Sequence, residues 1–167
     1  LSDEAFVYCA FNHNHKFNPE VFGSWMRILQ RTPSSVLWLL ADNDTAKANL
    51  LRFAERECID PARLVFAPRV PPEEYLARFP LADLFLDTMP FNGGTTASDA
   101  LWAGLPVLTC SGRAFASRMA GSLLTAIGLP ELITTSLGKY EEKAVAFSKP
   151  AGGLTELRQR LKANRLA

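Results

Sequence analysis

Unbroken apolar runs and helix-period apolar stripes alternate along this chain. Residues 5–11, Ala-Phe-Val-Tyr-Cys-Ala-Phe, are apolar throughout, the pattern of a strand buried on both faces. Pro19 then stands where a helix would open, and Phe22, Trp25, Met26 and Leu29 recur at i, i+3, i+4 and i+7 to make one stripe. The run 35–41 predicts a second strand. Residues 45–58 predict a second helix, with Leu50, Leu51, Ala54 and Cys58 inward. A third strand is expected over 63–68 and a short helix over 72–79, with Pro72 at its first position. A fourth strand follows at 82–88, a helix at 95–104 ended by Gly104, and a fifth strand at 105–110. Residues 115–128 predict another helix, Glu-Leu-Ile-Thr at 131–134 a short sixth strand, and 137–147 and 153–163 two closing helices.

Strands separated by helical runs of this kind predict βαβ units joined by right-handed crossovers. The expected fold is α/β: a Rossmann-like parallel sheet with helices on both faces, strand order 3-2-1-4-5 and a short sixth strand at the edge. No repeat, low-complexity tract or long linker divides the chain, so residues 1–167 read as one domain. With 48% hydrophobic and 21% charged residues among 167, a globular core is expected rather than disorder. The formal net charge of +1 gives no reason to expect nucleic acid as a partner, but leaves a small anionic ligand open. The three cysteines, Cys9, Cys58 and Cys110, fit no metal or redox spacing and read as buried thiols; Trp25, Trp38 and Trp102 read as core. No apolar run is long enough to span a membrane and no signal peptide is visible, so a cytoplasmic protein is expected. The chain opens on a strand without Met, as a piece of a longer protein would.

In an open parallel sheet, ligands bind beyond the carboxyl ends of the strands. Any function is therefore expected in segments 11–17, 42–44, 67–75 and 87–96. In the last of these, Gly93 and Gly94 allow close backbone approach, and Thr95 and Thr96 follow where a helix begins. Free N–H groups and hydroxyls there suit an anion such as phosphate, or simply form a threonine-capped helix start. Asp99, one turn on, could accept hydrogen bonds from paired sugar hydroxyls or merely favour the helix N-terminus. In Phe-Asn-His-Asn-His-Lys-Phe, 11–17, Lys16 can reach a phosphate as a point charge, with His13 or Asn12 as donors beside it. His13 and His15 would diverge on an extended chain, so no metal site is expected. Pro68, Pro71 and Pro72 stiffen a loop suited to a base edge, and Tyr75 and Arg78 share one helix face after it. Glu73 and Glu74 read as helix-start charges. Neither a Gly-x-Ser-x-Gly elbow nor a His-Glu-x-x-His motif occurs, so no self-contained nucleophile or metal centre is visible.

Asp-Thr-Met-Pro-Phe-Asn at 87–92, Thr-Thr-Ala-Ser-Asp-Ala-Leu-Trp-Ala-Gly-Leu-Pro-Val-Leu-Thr at 95–109 and Ala-Ser-Arg at 116–118 together resemble the O-linked N-acetylglucosamine transferase family. The resemblance covers residues 5–163, nearly the whole chain. It implies the carboxy-terminal, nucleotide-sugar-binding half of a two-domain GT-B catalytic core. It also implies inverting transfer of N-acetylglucosamine from a uridine diphosphate donor to Ser/Thr hydroxyls, without a metal or other cofactor. On this resemblance Lys16 matches the catalytic lysine that holds the diphosphate, with His13 beside it. Val70, Tyr75 and Arg78 match positions around the uracil, Thr95 and Thr96 the phosphate-binding helix start, and Asp99 the ribose contact. Two positions depart from the family. Gly94 stands where a histidine is usual, and Pro72 where some members carry a lysine. A related enzyme using a fucosyl or glucosyl nucleotide, or a non-catalytic nucleotide-binding module, is the alternative. In the family the protein acceptor is handled by an amino-terminal catalytic half and tetratricopeptide repeats. This chain alone is therefore expected to be inactive.

Overall fold

Six strands form one sheet in the order β3-β2-β1-β4-β5-β6, and neighbouring strands pair in parallel. They are β1 (Phe6–Ala10), β2 (Ser35–Leu40), β3 (Leu64–Ala67), β4 (Leu84–Leu86), β5 (Val107–Cys110) and β6 (Ile133–Thr134). This is the expected order, with the short sixth strand at the edge. The computed structural model describes residues 5–40 and 43–165. Ala41, at the end of the predicted second strand, and Asp42, in the expected segment 42–44, lie outside the described residues, as do residues 166 and 167, where fraying is expected. Cys9 of β1 stands opposite Trp38 of β2 and Phe85 of β4. From β1 the chain moves outward to β2 and β3, and from β4 outward to β5 and β6. The direction reverses between β1 and β4, and right-handed crossovers put the two sets of connecting helices on opposite faces, with a crevice at the reversal.

The helices form for reasons visible locally. Asn18 caps α1 (Pro19–Arg31) by accepting from the Val21 N–H, and Phe22, Trp25, Met26 and Leu29 are all buried as one stripe. α1 packs against α6 (Leu137–Phe147). There the Trp25 indole donates to the Tyr140 hydroxyl at 3.1 Å, which donates to the Asp87 carbonyl at 3.1 Å. Tyr8 of β1 donates to the Ala144 carbonyl, and Arg27 pairs with Glu141 at 2.7 Å. These contacts bolt α1 and α6 to the sheet directly behind the end of β4. α2 (Asp44–Arg56) is capped by Asn43, and α3 (Pro72–Arg78) opens with Pro72 and carries Glu73 and Glu74 in its first turn. α4 (Thr95–Trp102) packs beside α5 (Met119–Ala126), and α7 (Leu154–Asn164) buries Leu157 and Leu161.

Several expectations are corrected. Cys58 is exposed, not buried. It adopts φ +57° just past α2, and the Ile59 N–H reaches back to the Ala54 carbonyl, so the helix ends in a Schellman turn that buries Ile59 and rotates the thiol outward. Trp102 is 61% exposed. Ala97, Ala100 and Leu101 form the inward stripe of α4, and residue 102 falls about 100° from Leu101. The helix predicted from 115 begins at Met119 instead, after a separate 3-10 turn at Phe115–Ser117. The Ser117 hydroxyl bonds the Ala114 carbonyl and its own carbonyl accepts from Gly112, and this closed turn leaves Phe115 83% exposed.

Candidate active site

The loop after β4 is organised by one buried carboxylate. Asp87 accepts from the backbone N–H groups of Thr88 at 2.9 Å and Gly93 at 2.7 Å through Oδ1, and from the Thr109 hydroxyl of β5 at 2.7 Å through Oδ2. Burial pushes its pKa up to about 7, against those three hydrogen bonds and the charge of Lys16, which pull it down. A side chain at residue 93 would crowd Asp87 and Ala97, so glycine lets the loop close over the carboxylate. The residue in the N-cap position of α4 is Gly94, not a threonine, and no side chain caps this helix. Thr95 and Thr96 are its first helical residues. The positive end of the α4 dipole and its uncapped first turn therefore face whatever lies beyond β4.

Three side chains from the loop after β1 fasten the two strand ends together. The Asn12 amide reaches Thr88 at 3.3 Å, the Asn18 amide donates to the Met89 carbonyl at 2.6 Å, and the Lys16 ammonium donates to the Asn92 carbonyl at 3.1 Å. Lys16 also lies 4.3 Å from the centre of the Phe91 ring. Burial lowers its pKa, and the attraction of Asp87 opposes that. Residues 14–16 form a 3-10 turn rather than an extended segment, so His13 and His15 do not diverge; their rings lie 5.4 Å apart. Both His13 ring nitrogens are within 3.1 Å of the Arg69 guanidinium. Asn12 is buried in its contact with Thr88 and does not line the cavity described next.

A cavity of about 650 Å³ opens between the ends of β1, β3 and β4. Nine positions singled out in the sequence line it: His13 and Lys16 from the first loop, Val70, Tyr75 and Arg78 from the third, and Gly94, Thr95, Thr96 and Asp99 from α4. Tyr75 packs its ring edge-on against Phe11 and Phe79. Burial, with the charge of Asp99 adding, raises its hydroxyl pKa, while a hydrogen bond with Thr96 lowers it. Burial also raises the Asp99 pKa. Arg78 donates to the Pro68 carbonyl at 2.7 Å, so it braces the proline-rich loop from below. Arg69 and Pro72 complete the rim. Arg69, Asp87, Phe91 and Asn92 were not read as site residues from the sequence. Asp87 ends an apolar strand and so looked like an ordinary strand terminus, and the others matter only through cross-loop contacts. Among the described residues, no group of three or more His, Cys, Asp or Glu side chains stands together to hold a metal.

A Rossmann-like six-stranded sheet with a cationic, glycine-lined cavity at its reversal point is the architecture of a GT-B glycosyltransferase domain. Comparison with known proteins identifies which kind: residues 1–167 match the model of glycosyl transferase family 41, and the chain belongs to that family. It is 38% identical over 99% of its length to the probable UDP-N-acetylglucosamine–peptide N-acetylglucosaminyltransferase SEC of Arabidopsis thaliana. It is 37% identical over 96% of its length to the UDP-N-acetylglucosamine–peptide N-acetylglucosaminyltransferase of Caenorhabditis elegans. The chain spans 17% and 14% of those relatives. A mutant O-GlcNAc transferase from Thermobaculum terrenum superposes with a TM-score of 0.94 at 32% identity, covering 98% of this chain and 32% of that one. No helix among the described residues is long and apolar enough to cross a membrane.

Proposed function

We propose that the 650 Å³ cavity binds a uridine diphosphate sugar, and that this chain is the donor half of an enzyme transferring N-acetylglucosamine to Ser/Thr hydroxyls of proteins. The observation that carries this reading is the convergence of Lys16, the uncapped start of α4 and Asp99 around one cavity. The names of the plant and nematode relatives supply the donor and the acceptor class. The uracil lies against the 68–72 loop, with Val70 offering its backbone and Tyr75 its ring; Arg78 acts by holding that loop in place. Asp99 accepts from the ribose hydroxyls. The diphosphate lies over Thr95 and Thr96, within reach of Lys16 and His13. As the bond from sugar to phosphate breaks with inversion, negative charge gathers on the departing diphosphate. Lys16 and the N–H groups of the α4 first turn stabilise that charge without moving, in surroundings partly shielded from water. Gly94, bare where the family usually has a histidine, favours a second reading at the sugar end only: a donor carrying another sugar.

Calorimetric titration of uridine diphosphate and inorganic pyrophosphate tests these roles. Lys16→Ala removes a hydrogen bond to a charged group, about 1.5–3 kcal/mol, and should weaken both ligands roughly tenfold to hundredfold. Asp99→Ala should weaken the nucleotide while leaving pyrophosphate, which has no ribose, unchanged. Equal losses for both ligands in the Asp99 variant would refute its ribose role.

A further inference from the structure

The turn that carries Lys16 is joined to the loop after β3 through His13. His13 stands at the start of that turn, and its carbonyl accepts from the Lys16 N–H at 3.0 Å. One terminal nitrogen of the Arg69 guanidinium lies 3.0 Å from His13 Nδ1 and 3.1 Å from His13 Nε2. A nitrogen that close to both cannot lie in the ring plane, where it would overlap the carbon between them. The guanidinium therefore sits over the imidazole face, the stacked arrangement that a planar cation adopts on a flat ring. The His15 ring, 5.4 Å from that of His13 and inclined to it by 31°, extends the stack. Arg69 is exposed, yet it lines the same cavity as Lys16, Thr95 and Asp99.

The charges around this cavity leave Arg69 a particular role. A diphosphate that joins a nucleoside to a sugar carries one negative charge on each phosphate. Among the described lining residues, Lys16, Arg69 and Arg78 are cations and Asp99 is an anion. Arg78 is committed to the Pro68 carbonyl. Lys16 comes from the loop after β1 and Arg69 from the loop after β3, so they belong to different walls. We propose that Arg69 is the second cation of the diphosphate site, with His13 as the positioning residue that aligns its guanidinium. The inference rests on the nucleotide reading above. Lys16 meets the diphosphate as a point charge, and Arg69 adds a fork of N–H donors matched to the oxygens of a phosphate group.

Calorimetry on this chain with uridine diphosphate and inorganic pyrophosphate separates a phosphate role from a loop role. Arg69→Ala should weaken both ligands about tenfold and make their affinities less sensitive to added salt. Arg69→Lys returns the charge without the fork and should recover part of the loss. His13→Ala should reproduce much of the Arg69→Ala loss, and in the double variant the two losses should not add. Arg78→Ala releases the Pro68 carbonyl and loosens the base loop, so it should weaken uridine diphosphate and spare pyrophosphate. If Arg69→Ala behaves in that way, losing affinity for the nucleotide alone, Arg69 shapes the loop and the proposal fails. Fully additive losses in the double variant would overturn the alignment by His13. If Arg69→Ala leaves both affinities unchanged while Lys16→Ala lowers both, the second cation is refuted and the nucleotide site stands. If the unaltered chain binds neither ligand, the nucleotide reading fails and this inference fails with it.

Discussion

At the scale of single residues, Asp87 couples the site to pH. Its carboxyl is buried, and burial holds its pKa at about 7. The unfolded chain releases this proton near pH 4, the folded chain only near 7. Between those values the folded state binds more protons, so stability should fall as pH rises from about 4 to about 7 and level off above. The full difference is on the order of 4 kcal/mol from three units of displacement. Asp87→Asn keeps an oxygen for the Gly93 and Thr88 N–H groups and turns its amide toward the Thr109 hydroxyl, which can accept. The variant should fold and lose this part of the pH slope. Urea denaturation of both proteins across pH 4–8 checks it, and an unchanged slope would show that another group titrates. The residue scale is also where the sequence was least legible. Lys16, Thr95 and Asp99 announce themselves by type and place, whereas Asp87 resembles any polar residue ending a strand. Only its three donors, two of them backbone groups, reveal it as the anchor of the loop.

At the scale of elements, ends mattered more than interiors. The stripe of α1 and its Asn18 cap read directly from the sequence because both are local in origin. The end of α4 did too: Gly104 adopts φ +87° directly beyond its last turn. Gly104→Ala forces a β-carbon into left-handed backbone and should cost about 1–2 kcal/mol by chemical denaturation. Uridine diphosphate affinity should not change, since the site lies at the opposite end of the helix. A loss of affinity matching the loss of stability would mean that the two ends of α4 are coupled. The start of α4 at Thr95 was read as it stands, but the option of a threonine cap fails, and the 3-10 turn before α5 was missed, for the converse reason. Threonine is a good cap wherever it stands, but here the loop held by Asp87 puts Gly94 in the cap position and pushes both threonines into the helix.

At the scale of the molecule, the described residues form one six-stranded parallel sheet. The proposed donor cavity is built from loops at the carboxyl ends of the strands, and the family expectation places acceptor-side residues on a second half. This chain by itself should therefore bind the donor without transferring its sugar. Incubation with radiolabelled donor and a serine-containing peptide should leave the peptide unlabelled, and turnover without any partner polypeptide would overturn the division of labour. Arg63 illustrates how the sheet is tied together at the same scale. Its guanidinium donates to the Leu29, Thr32 and Ser35 carbonyls, joining the end of α1 to the approach to β3.

The sequence by itself determined the element order, the parallel sheet, its strand order and three segments that line the cavity, 11–17, 67–75 and 87–96, whereas the expected 42–44 contributes no described residue to it. Those follow from periodicity, crossover handedness and the rule that such sheets bind ligands where strand order reverses, and each is local or topological. Tertiary structure alone decided that Gly94 takes the N-cap position of α4 and leaves it without a side-chain cap, that Asp87 is buried beneath the glycine turn, and that Trp102 and Cys58 face outward. These depend on which loops meet across the sheet and on how much space remains between them. No pattern along the chain records that space, because it is set jointly by residues as far apart as Gly94 and Met119.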